Sequence, residues 1–178
     1  MTTANKLTLL RMALIPVFLG VLYAGFSGSR IAALVVFIIA SLTDFLDGYI
    51  ARHYNQVTNF GKFMDPLADK VLVVAAMCYF VDVGRMPGWV LAIVLLREFA
   101  VSGMRLVAVE QGRVIAAGWS GKVKTASTMV CLCLMLLIWP EASSDPVALI
   151  SNIVILATTV YSGVEYLIKN RDVFHTKS

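Results

Sequence analysis

Six long apolar stretches, each about the length a helix needs to cross a bilayer, leave this chain little freedom to fold in water. They run over Leu7–Gly25, Ile31–Arg52, Pro66–Val83, Gly88–Val109, Ser120–Trp139 and Val147–Ile168, parted by short segments rich in Gly, Pro, Ser, Asn or charge. Of the 178 residues, 59% are hydrophobic and 15% charged, against roughly 45–50% and 25% in ordinary soluble domains. A helix on the surface of a soluble protein carries a polar stripe, and these stretches mostly lack one. The expected fold is an all-α integral membrane protein, a single membrane domain over residues 1–178 with about six transmembrane helices. The polar segment Thr2–Lys6 leads into the first stretch with no small-residue cleavage site after it, so that span is expected to stay in place. Pro16 lies within it and is expected to kink it.

The cations speak of topology. Lys6, Arg11, Arg52, Lys62, Arg113, Lys122, Lys124, Lys169, Arg171 and Lys177 fall on one side of the six-span arrangement, and only Arg30 and Arg85 on the other. The side rich in Lys and Arg normally stays in the cytoplasm, so both termini are expected there. The net charge of +4 is scattered between apolar segments rather than gathered on one face, which argues against nucleic acid as a partner. Cys78, Cys131 and Cys133 lie inside apolar runs without metal-ligand spacing and are assigned no chemistry.

The most informative stretch is Asp44-Phe-Leu-Asp47-Gly48-Tyr-Ile-Ala51-Arg52, followed by Gly61-Lys-Phe-Met-Asp65-Pro-Leu-Ala-Asp69. Asp44 and Asp47 are three apart near the end of the second span, and Asp65 and Asp69 four apart at the start of the third, so each pair shares a helix face. The short connection lets the two faces meet. Four carboxylates at a membrane boundary repel one another and resist desolvation unless cations neutralise them. Oxygen ligands select hard cations, so Mg2+ or Mn2+ is expected, and two such ions about 3.5–4 Å apart suit displacement at a phosphate. Gly48 and Gly61 let backbone and ligand approach, Ala51 keeps the face open one turn on, and Arg52 can fork onto phosphate oxygens. Salt bridges to Arg52, Lys62 and Lys70 explain any one of these acids but not the whole spacing.

That spacing, D-x2-D-G-x2-A-R-x8-G-x3-D-x3-D, resembles the signature of the CDP-alcohol phosphatidyltransferase family, and the likeness extends from end to end. It implies the fold of that family and a homodimer in the membrane. It further implies that Asp44, Asp47, Asp65 and Asp69 hold two divalent ions on the diphosphate of CDP-diacylglycerol, with Asp69 also the general base. Gly48, Ala51, Arg52, Thr58 and Gly61 would contact the nucleotide and its phosphates. The segment Asn5-Lys-Leu-Thr8-Leu-Leu-Arg11 looks like the one beside the family's nucleotide pocket, which makes Asn5 and Thr8 further candidate contacts. His53, next to Arg52, reads as a solvated interfacial residue rather than a base.

The fourth span contains Arg97-Glu98-Phe-Ala-Val-Ser102-Gly-Met-Arg105, where charge is costly unless it serves a site or is paired. Arg97 and Glu98, being adjacent, are expected to point in different directions. Arg97 and Arg105, eight apart, share a face. With Lys122 and Lys124 of Gly121-Lys-Val-Lys-Thr125 they could form a basic pocket suited to an acceptor that carries phosphate. Both strings look like those of the bacterial branch that uses glycerol 3-phosphate, which implies the inner, cytoplasmic membrane of a bacterium. Two rivals are a sister transferase with another acceptor, such as inositol phosphate or serine, and a membrane transporter, for which no inverted repeat is present.

Overall fold

The computed structural model describes residues 3–53, 59–113, 115–116, 118–140 and 145–171, and side chains from residue 9 onward apart from 44–69. Among the described residues the chain forms six α-helices and no strand: α1 (Thr3–Tyr23), α2 (Ser29–His53), α3 (Asn59–Asp82), α4 (Gly88–Glu110), α5 (Trp119–Leu137) and α6 (Pro146–Lys169). Each coincides with one apolar stretch, but the bounds differ: most helices start before the stretch does, and α1, α3 and α5 end one or two residues short of it. The largest difference is at α3, which begins at Asn59 rather than Pro66. Apolar residues set how much helix can lie in hydrocarbon, whereas the backbone ladder continues into polar turns. Pro16 lies within α1, which runs on to Tyr23.

Two compact units emerge, one of residues 1–82 with 136–139 and the other of residues 83–135 with 140–178. In the first, α1 packs against both α2 and α3. Phe18 and Phe37, both fully buried, meet at 5.6 Å between ring centroids. Leu22, Leu34, Leu72, Met77 and Phe80 complete the core. At the far end of α1, Tyr23 lies edge-on to Tyr79 at 5.3 Å and its hydroxyl donates to Asp82 at 3.2 Å. Arg30 stacks over the Trp139 ring at 4.6 Å, a cation held by an aromatic face.

The second unit is formed by α4, α5 and α6, and α6 shows what its solvent is. Its buried side carries Ser151, Asn152, Thr159, Ser162 and Gly163, while Leu149, Ile150, Ile153, Val160, Val164, Leu167 and Ile168 are exposed. A helix facing water would have the opposite arrangement. Small and hydroxyl side chains let membrane helices approach and bond across the interface, and the apolar residues face lipid. Among the described residues, α5 and α6 are the helices long and apolar enough to cross a membrane. The all-helical architecture with this outward apolar face is that of a membrane protein.

Helix ends are fixed by local chemistry. α4 closes in a Schellman arrangement: Gly112 takes φ +74°, its amide donates to the Val109 carbonyl at 2.9 Å, and the Arg113 amide reaches Ala108 at 2.8 Å. α6 starts with Asp145 as N-cap, accepting from the Ala148 amide at 2.9 Å, and Pro146 at the first helical position. Asp145 also pairs with the buried Arg85, which donates to the Met135 carbonyl at the end of α5. The Asn152 amide donates to the Arg85 carbonyl at 2.9 Å. One arginine thus ties together the approach to α4, the end of α5 and the start of α6.

Asp145→Asn keeps a capping oxygen but removes the charge that Arg85 faces, and is expected to lower stability at pH 7 by about 2–3 kcal/mol. The hydrogen bond from Arg85 holds the Asp145 carboxyl below its ordinary value of 3.8. Its contribution is therefore complete above that pH and is lost as pH falls through the lower folded-state value. Thermal unfolding in detergent at pH 7 and pH 3 is expected to show the gap between variant and parent closing at acid pH.

Candidate active site

The acidic motif occupies the end of α2 and the beginning of α3. Asp44, Asp47, Gly48, Ala51 and Arg52 lie in the last turns of α2, and Gly61, Asp65 and Asp69 in the first turns of α3, within one compact unit. Their side chains lie outside the described residues, as do those of Asn5 and Thr8 on α1, and Thr58 lies outside altogether. Among the described residues no group of three or more His, Cys, Asp or Glu could hold a metal ion, and the four aspartates lie outside that search. Two carboxylates on each of two neighbouring helices, with no sulfur or imidazole among them, suit a hard divalent cation.

Backbone register adds Arg11 to this region. α1 and α2 are joined by a short turn and run antiparallel, with Phe18 against Phe37. Seven residues back along α1 is Arg11, and seven residues on along α2 is Asp44, so the two lie at one level because both helices rise equally per residue. The contacts of Tyr23 with Tyr79 and Asp82 likewise bring Arg11 to the level of residues 67–70, which include Asp69. Arg11 is fully buried. The sequence counts Arg11 among the cytoplasmic-side cations and closes with it the segment that resembles the one beside the family's nucleotide pocket, but does not make it a site residue; its position inside an apolar stretch is the signal available.

In the second unit three charged residues converge. Glu98 Oε1 accepts from Arg97 Nη1 at 2.9 Å and from Lys124 Nζ at 2.7 Å. The side chains of Arg97, Glu98 and Lys124 are 13%, 18% and 6% exposed. Arg97 and Glu98, expected to diverge as neighbours, instead meet: their long side chains bend to a common point across from α5. Arg97 sits nine residues, roughly 14 Å, inside α4, where an unpaired charge would be costly. A Cβ on Gly163 of α6 would lie 3.1 Å from Arg97 Cγ, and one on Gly121 of α5 would lie 3.5 Å from Arg97 Nη2. Glycine at 163 therefore makes room for the arginine stem.

Arg105, two turns on, also leans on α6: its Nε donates to the Tyr166 hydroxyl at 3.2 Å, and its guanidinium lies 5.5 Å from the ring centre. Lys122 parts company with Lys124. Two residues along a helix is more than half a turn, and while Lys124 is buried, Lys122 is exposed. The structure thus brings Arg97 and Lys124 together around Glu98, sets Arg105 on Tyr166, and leaves Lys122 at the surface. Glu98, Gly163, Tyr166 and the fully buried Thr159, one turn before Gly163, were not singled out as site residues from the sequence.

An acidic motif across α2 and α3, set in a helical membrane protein, agrees with what comparison finds: the model of the CDP-alcohol phosphatidyltransferase family matches residues 1–163, and the chain belongs to that family, whose members are generally metal-dependent. Among curated relatives it is similar to the CDP-diacylglycerol–glycerol-3-phosphate 3-phosphatidyltransferase of Bacillus subtilis (strain 168), 43% identical over 98% of this chain and 97% of the relative. It is 40% identical to the enzyme of that name from Salmonella typhimurium, covering 90% of each. A probable phosphatidylglycerophosphate synthase of Mycobacterium tuberculosis (strain H37Rv) is 39% identical over 92% of this chain and 79% of the relative.

The burial contrast has a measurable consequence. Lys124→Ala is expected to lower stability by about 2 kcal/mol, less than the roughly 3–5 kcal/mol of a buried pair broken outright, because Arg97 still neutralises Glu98. Lys122→Ala is expected to stay within about 0.5 kcal/mol of the parent. Thermal midpoints of the two variants in the same detergent check the difference.

Proposed function

We propose that this chain transfers the phosphatidyl group of CDP-diacylglycerol to glycerol 3-phosphate, giving phosphatidylglycerophosphate and CMP. The observation that carries the acceptor is the buried pairing of Arg97 and Lys124 around one carboxylate, in a chain about 40% identical to relatives named for that reaction. Two cations against one acid leave a net positive charge in a poorly solvated place, which favours an anionic acceptor over a neutral alcohol. Arg97 and Lys124 hold the acceptor phosphate, Arg105 extends the basic face along α4, and exposed Lys122 draws the anion in.

Asn5, Thr8, Gly48, Ala51, Arg52, Thr58 and Gly61 contact the nucleotide and phosphates of the CDP-lipid, and Asp44, Asp47, Asp65 and Asp69 hold two Mg2+ or Mn2+ ions. When bound, those ions neutralise the diphosphate and the charge that grows on it during displacement. Asp69 takes the proton from the acceptor hydroxyl as its oxygen attacks the lipid-side phosphorus. The bond from that phosphorus to the CMP oxygen breaks, and CMP leaves with the electron pair. No covalent enzyme intermediate is required. The chain acts as a single membrane domain of six spans, residues 1–178, in the cytoplasmic membrane with both termini and the site on the cytoplasmic side. It works as a homodimer, and its lipid substrate enters sideways with the tails still in the bilayer.

Purified protein with CDP-diacylglycerol, Mg2+ and a panel of acceptors is expected to release CMP with glycerol 3-phosphate; release only with inositol phosphate or serine would move it to a sister activity, and no release with any acceptor would remove the enzymatic reading. Asp69→Asn is expected to bind metal and remain folded while turnover falls by about 10²-fold or more. Substantial retained turnover would remove Asp69 as the base.

A further inference from the structure

Glu98 has no part in the reaction as proposed, yet it is the atom-level meeting point of the cation cluster. A single oxygen, Oε1, accepts from both Arg97 Nη1 and Lys124 Nζ, at 2.9 and 2.7 Å. Two like charges held that close in a buried setting repel each other strongly, because little water is present to screen them. Remove the intervening carboxylate and the two side chains are driven apart, so the cluster stops being a two-cation site.

The arginine also has a donor to spare. Arg97 Nε is buried and has no hydrogen-bond partner among the described residues. Its stem is confined by Gly163, its Nη1 by Glu98, and its Nη2 faces Gly121. The guanidinium is therefore fixed in orientation from three helices while one buried N–H is left without an acceptor, an arrangement suited to receiving an oxygen from outside the protein.

We propose that Glu98 is the positioning residue of the acceptor site, holding Arg97 and Lys124 together as one dianion-binding pair, with Gly163 giving the space that sets the arginine's approach. This rests on the reading that the acceptor carries a phosphate. Glu98 itself does not touch the phosphate, which it would repel; it sets the spacing of the two cations. Among the described residues two cations face its single negative charge, which leaves a positive charge to attract the ligand.

The test uses the full chain in lipid nanodiscs, with steady-state turnover and calorimetric titration of glycerol 3-phosphate. Glu98→Gln is expected to raise the KM for glycerol 3-phosphate at least tenfold and to weaken its binding similarly, while the KM for CDP-diacylglycerol and kcat at saturating acceptor stay within about twofold. Glu98→Asp, which keeps the charge, is expected to recover at least half of that loss on a logarithmic scale. Gly163→Ala alters no charge but displaces the Arg97 stem, and is expected to raise the same KM severalfold. An unchanged KM for glycerol 3-phosphate in folded Glu98→Gln would overturn the assignment while leaving the proposed reaction intact. Equal damage to both KM values and to kcat, with no recovery in Glu98→Asp, would reduce Glu98 to a structural counter-ion. Binding of glycerol 3-phosphate that weakens in Glu98→Gln, in a parent that releases no CMP with it, would support Glu98 and sink the reaction instead.

Discussion

Hydrocarbon as solvent is the constraint from which the rest of this structure follows. In water, apolar burial drives folding and polar groups can stay outside; in lipid, apolar side chains lose nothing by facing outward, and every polar group must find a partner within the protein. The consequence is plainest on α6, where Ser151, Asn152, Thr159, Ser162 and Gly163 join Ala148, Ile155 and Tyr166 on the packed side, while the exposed side is largely leucine, isoleucine and valine. A charge in such a helix cannot be left to solvent. It persists only if another helix brings its complement, so the charged positions dictate which helices must meet, and the α4–α5–α6 unit is organised around such a meeting.

The same rule separates structural from functional charge. Arg85 is paired with Asp145 and donates to the carbonyl of Met135, and so joins helix ends. Around Glu98 two cations share one carboxylate oxygen, and a buried N–H of Arg97 lacks an acceptor among the described residues. An unmet buried donor inside a membrane protein has a cost.

Much of this was legible from the letters. Each of the six helices could be located from its apolar stretch, and the acidic motif stood out because four aspartates within 26 positions of an apolar chain are unusual. What was not legible depended on side-chain reach and on helix register. Arg97 and Glu98 were expected to diverge because only their Cα–Cβ directions were considered, whereas long side chains bend toward a shared partner. Lys122 and Lys124 were read as a pair, although two steps along a helix turn them to different sides. Arg11 is only one of the cytoplasmic-side cations in the sequence, and it is the pairing of Phe18 with Phe37 that fixes the level at which it enters the bundle. The early start of α3 at Asn59 was hidden because polar residues can be helical without being apolar.

Arg85 has a mechanical meaning as well as an energetic one. By fastening the approach to α4, the end of α5 and the beginning of α6 at one place, it acts as a pivot for three rods. Rods pinned at a common end are stiff near the pin and compliant far from it. Lys124 stands eleven residues, roughly 16 Å, along α5 from Met135, and the far tip of α6 about 36 Å from its start. A tilt of a few degrees at the pivot would displace the lysine by an ångström or more, so the contacts of Lys124 with Glu98 and of Arg105 with Tyr166 act as the second brace that keeps three pinned rods from splaying.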